Sequence, residues 1–127
     1  MTLKECLEVY QAFQKLSAMN LPLKSSWMIA QNISKLEPII DLFQKSRSKF
    51  IDSLREKASV DDQGNPLVSD ELSAEFTAQI EILLNEDQKV RLKKVTLIDD
   101  GQLSIEPGIL LAAMDYLIVK DNGDKAS

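Results

Sequence analysis

The chain has 127 residues and a net charge of −5, with 44% hydrophobic and 28% charged residues. This composition is typical of one soluble globular domain. The sequence contains no run of about 18 apolar residues, which a membrane-spanning helix would need. Because histidine is absent and cysteine occurs once, a histidine-based catalytic triad, an internal disulfide and a thiolate metal cluster are all excluded. We expect a single domain over residues 1–127 in a reducing, cytoplasmic compartment.

The charge is unevenly distributed along the chain. Residues 1–57 carry nine Lys/Arg and six Asp/Glu, whereas residues 58–127 carry six and fourteen. Such asymmetry either draws the two halves together or marks a basic face on an acidic protein. The negative net charge disfavours binding to nucleic acid.

The first predicted helix begins at Thr2. With Glu5 three residues later, Thr2 matches a capping box, in which each side chain accepts a hydrogen bond from the other residue's backbone N–H. The helix runs to about Asn20, and Pro22 lies in the tight connection that follows. One apolar stripe must be buried: Leu3, Leu7, Tyr10, Phe13 and Leu16.

The second predicted helix spans about residues 25–57 and is capped by Ser25 or Ser26. Its apolar residues follow a heptad spacing, which is typical of packing against other helices. Pro38 removes one internal hydrogen bond, so we expect a kink near residues 34–38 or a complete break. The heptad seam consists of Ile29, Ile33, Leu36, Ile40, Phe43, Arg47, Phe50 and Leu54.

The segment SVDDQGNP, residues 59–66, contains the residues typical of turns and separates the second helix from a third. Ser69 is placed to cap this third helix, which we predict over residues 70–85. Its single apolar face is formed by Leu72, Phe76, Ile80 and Leu83.

The hydrophobic period then changes. KVRLKKVTLI, residues 89–98, alternates as a strand does, and a slip in phase at residues 93–94 indicates a bulge. The Asp-Asp-Gly triplet at 99–101 predicts a turn, after which QLSI at 102–105 would return as the second strand. The sequence thus predicts a small β-hairpin or strand segment over about residues 89–105.

A C-terminal helix begins at Pro107, a residue favoured at the first helical position, and a polar mobile tail follows over about residues 121–127. The predicted fold is mainly α: a helical bundle around the long Pro-containing helix, with the strand segment and the C-terminal helix packed on it. The apolar residues of this last helix are Ile109, Leu110, Ala113, Met114, Leu117 and Ile118.

Acidic residues in turns are the best candidates for chemistry. They could bind a hard cation, or serve a carboxylate hydrolase, but they lack the spacing of an EF-hand loop and are more typical of solvated turns. We therefore predict no catalytic residue, no cofactor and no metal site. The acidic candidates are Asp61 and Asp62 with Asp70 and Glu71, and separately Asp99 and Asp100.

A possible partner surface lies on the second helix, where KSRSKF at 45–50 forms a basic cluster. Arg47 occupies a seam position and needs water or a carboxylate for its guanidinium, while Lys45 and Lys49 are expected to lie away from the seam. Trp27 is the fourth candidate, although the sequence favours a core position for it. The alternative is an ordinary solvated face. Because this helix has more apolar width than its neighbours can cover, we also expect self-association.

Three segments carry a resemblance to a known family. They are LPLKSSWMIAQNISKLEPIIDLFQKSRSKFI at 21–51, NEDQKVRLKKVTLID at 85–99 after an acidic turn with a Gly-Asn pair, and LSIEPGILLAAMDYLI at 103–118. Over about residues 10–119 the chain resembles DUF1617, a family of small bacteriophage and prophage proteins of unknown function. The resemblance implies a phage or prophage protein in the host bacterial cytoplasm or in the phage particle.

These observations favour a non-catalytic interaction protein that acts through a helical surface, as an assembly factor, structural component or adaptor. The partner would be a phage or host protein, with a homo-oligomer as a further possibility. Two alternatives stay open: a phage-encoded inhibitor of a host protein, with the acidic C-terminal half facing a basic partner, or a cation-dependent enzyme that uses the acidic turns.

Overall fold

The computed structural model describes residues 1–99, 101 and 103–121, and it confirms the predicted mainly α fold. The predicted tail lies outside these residues from position 122 onward. Within the described residues, no helix is long and apolar enough to cross a membrane. The elements are, in chain order, α1 (Leu3–Ser17), α2 (Leu23–Lys57), β1 (Ser59–Val60), β2 (Pro66–Leu67), α3 (Asp70–Leu84), β3 (Val95–Asp99), α4 (Pro107–Ala113), a 3₁₀ turn (Met114–Tyr116) and β4 (Leu117–Asp121).

The capping box of α1 is confirmed. The Thr2 hydroxyl accepts a hydrogen bond from the backbone N–H of Glu5 at 3.2 Å, and the Glu5 carboxylate accepts one from the backbone N–H of Thr2 at 3.1 Å. Hydrogen bonds from the Thr2 backbone and hydroxyl hold the pKa of the Glu5 carboxyl below its usual value. The helix ends at Ser17, slightly before the predicted Asn20.

One hydrophobic core lies between α1, the first half of α2, β3 and α4. Cys6 is completely buried in this core, and burial raises the pKa of its thiol. Because the thiolate is the nucleophilic form, this cysteine is poorly suited to covalent chemistry. We call this part of the molecule the body. Its core cluster comprises Cys6, Val9, Ala12, Phe13, Leu16, Ile29, Leu36, Val95, Leu97, Ile109 and Ala113.

The start of α2 differs from the prediction. The helix begins at Leu23 with Pro22 as its N-cap, and neither Ser25 nor Ser26 acts as the cap. Instead Ser25 is buried, and its hydroxyl donates a hydrogen bond to the backbone carbonyl of Thr96. Pro22 itself has no N–H to satisfy, and its carbonyl accepts the first hydrogen bond of the helix from the backbone N–H of Ser26 at 3.0 Å.

The long helix continues through Pro38 without a break, so of the two predicted alternatives the complete break is wrong. Pro38 and Ser34 are both exposed, so the Ser34 carbonyl, which lacks its usual N–H partner, can bind water. Buried Leu36 and Ile40 anchor the helix on either side of the proline. With 35 residues, α2 is roughly 52 Å long.

Of the two alternatives predicted for about residues 89–105, the strand segment is confirmed and the hairpin is wrong. Its first strand begins only at Val95, and the described residues 103–106 are not in a strand. β3 instead pairs in parallel with β4, from Val95 opposite Leu117 to Asp99 opposite Asp121. The intervening α4 and 3₁₀ turn supply the long connection that parallel strands require.

The strand that pairs with β3 comes from the end of the predicted C-terminal helix. This helix stops at Ala113, so that Leu117 and Ile118, which were expected to be helical, lie in β4. The run Leu-Ile-Val at 117–119 contains two β-branched residues, which favour a strand. Pro107 does occupy the start of α4, as predicted.

The predicted turn at 59–66 is present, and a small antiparallel hairpin encloses it. β1 pairs with β2, and the Asp61 carboxylate accepts hydrogen bonds from the backbone N–H groups of Gln63 and Asn65 at 2.9 and 2.8 Å. Gly64 has φ 81°, a left-handed conformation that favours glycine. Asp61 therefore shapes this turn, as the sequence indicated.

Polar side chains of α2 bind the extended segment that leads into β3. Asn32 is completely buried; its amide donates to the backbone carbonyl of Lys93 at 2.8 Å and accepts from the backbone N–H of Lys93 at 2.8 Å. The Lys35 ammonium donates to the carbonyl of Arg91 at 2.9 Å. Together with Ser25, these residues replace the neighbouring strand that a sheet would otherwise provide along this edge.

We predict that Asn32→Ala destabilises the body. The substitution removes both partners of the Lys93 backbone, and leaving such groups unsatisfied costs about 1–3 kcal/mol. Chemical denaturation measures the change in the free energy of unfolding. Asn20→Ala, at an exposed position, is the matched control and should change stability by less than about 0.5 kcal/mol. Equal effects of the two substitutions would contradict this role of Asn32.

Candidate protein-binding surface

The second half of α2 and the whole of α3 extend away from the core. No residue of 41–57 is buried, and none of α3 is buried either. Ile40 is the last buried residue of α2. We call residues 41–57, α3 and the β1–β2 hairpin between them the arm. It is a helical pair with a narrow contact between its helices and without a closed core of its own.

An aromatic contact holds the two helices of the arm together. The rings of Phe50 and Phe76 are stacked, with centroids 6.0 Å apart and an interplanar angle of 15°. The Arg47 guanidinium carbon lies 5.7 Å from the centroid of the Phe76 ring, within the range of a cation–π interaction. The seam positions 47 and 50 therefore face α3, as their heptad spacing predicted.

Electrostatic attraction adds little to this contact. Lys57 and Glu75 form an ion pair at 3.9 Å, and their side chains are 60% and 44% exposed. Exposed pairs of this kind are screened by water and salt. Among the described residues it is the only ion pair between α2 and α3. The opposite charges of the two helices are thus mostly not neutralised by one another.

Two grooves run along the arm, one on each side of the helix pair. The proximal groove lies next to the body and is lined by Leu3, Pro38, Ile39, Leu42, Phe43, Ser46, Leu83, Glu86 and Gln88. The distal groove lies towards the hairpin and is lined by Ile51, Leu54, Arg55, Ala58, Val68, Leu72, Ser73 and Phe76. Both grooves are lined mainly by apolar side chains, as expected for sites that accept another helix.

Large apolar side chains are exposed beside these grooves. Leu42 and Ile82 are each 67% exposed, and Val68 is 73% exposed. A single exposed apolar residue is common at protein surfaces, whereas several beside one apolar groove are characteristic of interaction sites. The arm therefore presents exposed apolar side chains at both grooves, with charged residues between them.

The structure brings three of the four predicted surface residues together. Lys45, Arg47 and Lys49 lie on the arm and are exposed. Trp27 lies 20 residues before Arg47, roughly 30 Å away along α2. It is 62% exposed, so the interpretation of Trp27 as a core residue is wrong. α1 and β3 cover another side of the first half of α2, where Ile29, Asn32 and Leu36 are among the buried residues.

Sequence reasoning missed several residues of the surface. Phe76 was assigned only to the buried face of α3, although its ring also binds Arg47, for which water or a carboxylate was expected. Leu42 and Ile82 are not among the seam and stripe residues predicted from the sequence. Ile82 lies outside the apolar stripe of its helix, and this position was the signal that could have identified it.

The acidic turns do not form a common site in the described part of the chain. The Asp61 carboxylate binds its own turn, and the Asp99 carboxylate accepts a hydrogen bond from the backbone N–H of Gly101 at 3.0 Å. Within the described residues, no group of three or more His, Cys, Asp or Glu side chains is arranged to hold a metal ion. Asp100 lies outside the described residues.

The fold and its surface define a mainly α protein with a compact body and an exposed two-helix arm. Comparison with protein-family models, curated proteins and solved structures finds no match. The resemblance to the phage family therefore stays a prediction from the sequence.

We predict that Phe76→Ala loosens the arm and leaves the body intact. The substitution removes the ring that contacts both Phe50 and Arg47, whereas the body has no contact with this ring among its core residues. Hydrogen exchange should accelerate at residues 41–57 and remain unchanged at 23–36, because local opening follows local contacts.

The matched comparison is Phe13→Ala, which removes a completely buried ring from the body. It should lower the free energy of unfolding by about 3–5 kcal/mol and accelerate exchange throughout the body. If Phe76→Ala accelerated exchange equally in both halves of α2, the separation into body and arm would be wrong.

Proposed function

We propose that this protein is a non-catalytic interaction protein that binds another protein through its arm. The observation that carries this proposal is the contrast between the two halves of α2. The first half contributes five buried residues to the body, and the second half contributes none while still carrying apolar seam residues. A helix pair with this much uncovered apolar surface is stabilised when a partner covers it.

The chemistry of the surface supports a protein as the partner. The grooves are open and lined mainly by apolar side chains, so they suit the apolar face of a helix better than a small molecule, which an enclosed pocket would bury. Exposed Lys45, Arg47 and Lys49 form a charged margin of the kind that sets orientation and association rate.

The setting that we propose is a bacteriophage or prophage, and its support is the sequence resemblance over about residues 10–119. In that setting the protein would serve as an assembly factor, a structural component or an adaptor in the host cytoplasm or in the particle. One observation favours an inhibitor of a host protein as a second candidate. α3 carries four Asp/Glu and no Lys/Arg, a composition that would attract a basic partner surface.

Affinity capture from phage-carrying bacterial cells tests the proposal. The tagged wild-type protein should retain a specific protein, identified by mass spectrometry, as a phage or host product. Leu42→Glu in the proximal groove and Val68→Glu in the distal groove should each reduce recovery about tenfold or more, because each places a charge in an apolar groove.

Leu23→Glu is the matched control, because Leu23 is 86% exposed and lies on the body. This variant should capture the same protein as wild type. The proposal would be refuted if the arm variants captured the partner as well as the control, or if Leu23→Glu alone abolished capture. Circular dichroism of each variant establishes that the helices are intact.

A further inference from the structure

One flank of the arm carries two matched pairs of residues. On α2, Leu42 and Lys49 are seven residues apart, and on α3, Glu75 and Ile82 are seven residues apart. Seven residues correspond to about two helical turns, so the members of each pair lie along one line of their helix. All four side chains are exposed.

Both lines lie on the side of the proximal groove. Leu42 itself lines this groove, and Leu83, the neighbour of Ile82, lines it from α3. The distal groove is lined by a different set of residues, among them Ile51 and Leu72. We call the strip that contains Leu42, Lys49, Glu75 and Ile82 the proximal flank.

The residues of the two lines also lie at matching positions along the axis of the arm. The stacked rings of Phe50 and Phe76 bring the neighbouring positions 49 and 75 to a similar level. Nearer the body, Leu42 and Leu83 line the same groove, which brings Leu42 and Ile82 to a second level. Each level thus has one residue from each helix: two apolar residues near the body, and two of opposite charge farther out.

The two helical segments of the arm carry net charges of opposite sign. Residues 41–57 contain five Lys/Arg and three Asp/Glu, a net charge of +2, whereas α3 has four Asp/Glu and a net charge of −4. Within the described residues, one exposed ion pair connects the two helices, and its acidic member is Glu75, which Lys57 contacts at 3.9 Å. This contact is long and exposed and engages only one carboxylate oxygen, so Glu75 can also bind a second cation. Most of this complementary charge therefore remains available to a partner.

We propose that the proximal flank binds a second copy of this chain, with the two-fold axis parallel to the arm. This inference rests on the proposed function, because it names the partner of the arm. Two helix pairs that stack face to face about such an axis place α2 of each copy opposite α3 of the other. An axis perpendicular to the arm would instead place α2 opposite α2, and α3 opposite α3, with like charges facing each other.

The proposed dimer is a four-helix bundle formed by the two arms. Because an axis along the arm preserves the level of every residue, Leu42 faces the partner's Ile82 and Lys49 faces the partner's Glu75. The symmetry repeats each contact, so that two apolar pairs and two ion pairs form. The distal groove stays open in this dimer and can bind a further protein.

Sedimentation or light scattering over a concentration series tests the dimer, with Lys49→Glu, Glu75→Lys and the double charge swap as variants. The wild type should approach twice 14.3 kDa. Each single reversal places two like-charged pairs in the interface and should weaken association about tenfold or more. The double swap restores opposite charges and should recover most of the wild-type affinity.

Two controls give the test its specificity. Lys24→Glu makes the same charge change on the body, and Val68→Glu alters the distal groove; both should dimerise as wild type does. A monomeric wild type at about 100 μM, where even weak pairs associate, would overturn the inference. Unaffected dimers in both single reversals would overturn it as well, as would a double swap that fails to recover.

The outcome is distinguishable from a failure of the proposed function. If the wild type is monomeric but captures another protein in a manner sensitive to Val68→Glu, the self-association is wrong and the interaction role of the arm holds. If the dimer forms and its charge swap recovers, while no other protein is captured, the second copy is the partner of the arm.

Discussion

The length of α2 is the constraint on which the rest of the structure depends. At 35 residues it is roughly 52 Å long, whereas the 15 residues of α1 reach about 22 Å. A body built from α1, α4 and one strand can cover only the first half of such a helix. The second half must either find another neighbour or remain solvated along its apolar seam. α3 meets that need in part, through one aromatic stack and one cation–π contact.

The body contains a sheet of only two strands, and the outer edges of this sheet need hydrogen-bond partners. A parallel pair of strands has unpaired backbone groups along both outer edges. Side chains of α2 donate hydrogen bonds to backbone carbonyls of β3 and of the segment before it, as a third strand would do. These side chains belong to Ser25, Asn32 and Lys35. Polar residues on the buried side of α2 are thus part of the architecture. They also fix the segment 91–96 relative to the helix from which the arm extends.

How much the sequence predicts depends on how local the determining interaction is. The Thr2–Glu5 capping box, the Ser69 cap and the turn around Asp61 involve neighbours in the chain, and each is predicted correctly. The strand pairing is not local. The Asp-Asp-Gly triplet at 99–101 is a sound turn signal, but it does not reveal that β3 pairs with residues 117–121. An apolar run such as Leu-Ile-Val at 117–119 fits either a buried helix or a strand, and the neighbours in space decide.

The same distinction applies to the candidate surface. Heptad spacing identifies the line of α2 that faces α3, because position along a helix fixes direction around it. It does not show which flank is covered, and the core position that the sequence favours for Trp27 is therefore wrong. Arg47 illustrates the point for charge. Its seam position was read correctly, but its partner is the ring of Phe76, which is 29 residues away in the sequence.

The division into body and arm has a consequence for how this molecule can change. The buried polar contacts and the apolar core lie in the body, so substitutions in the arm leave the determinants of the fold in place. The arm depends instead on a few side chains between two helices, and its outer residues are solvated. A surface that is separated from the core in this way can alter its partner without loss of the fold. That freedom suits a protein whose activity is binding, because its specificity then resides in residues that stability does not constrain.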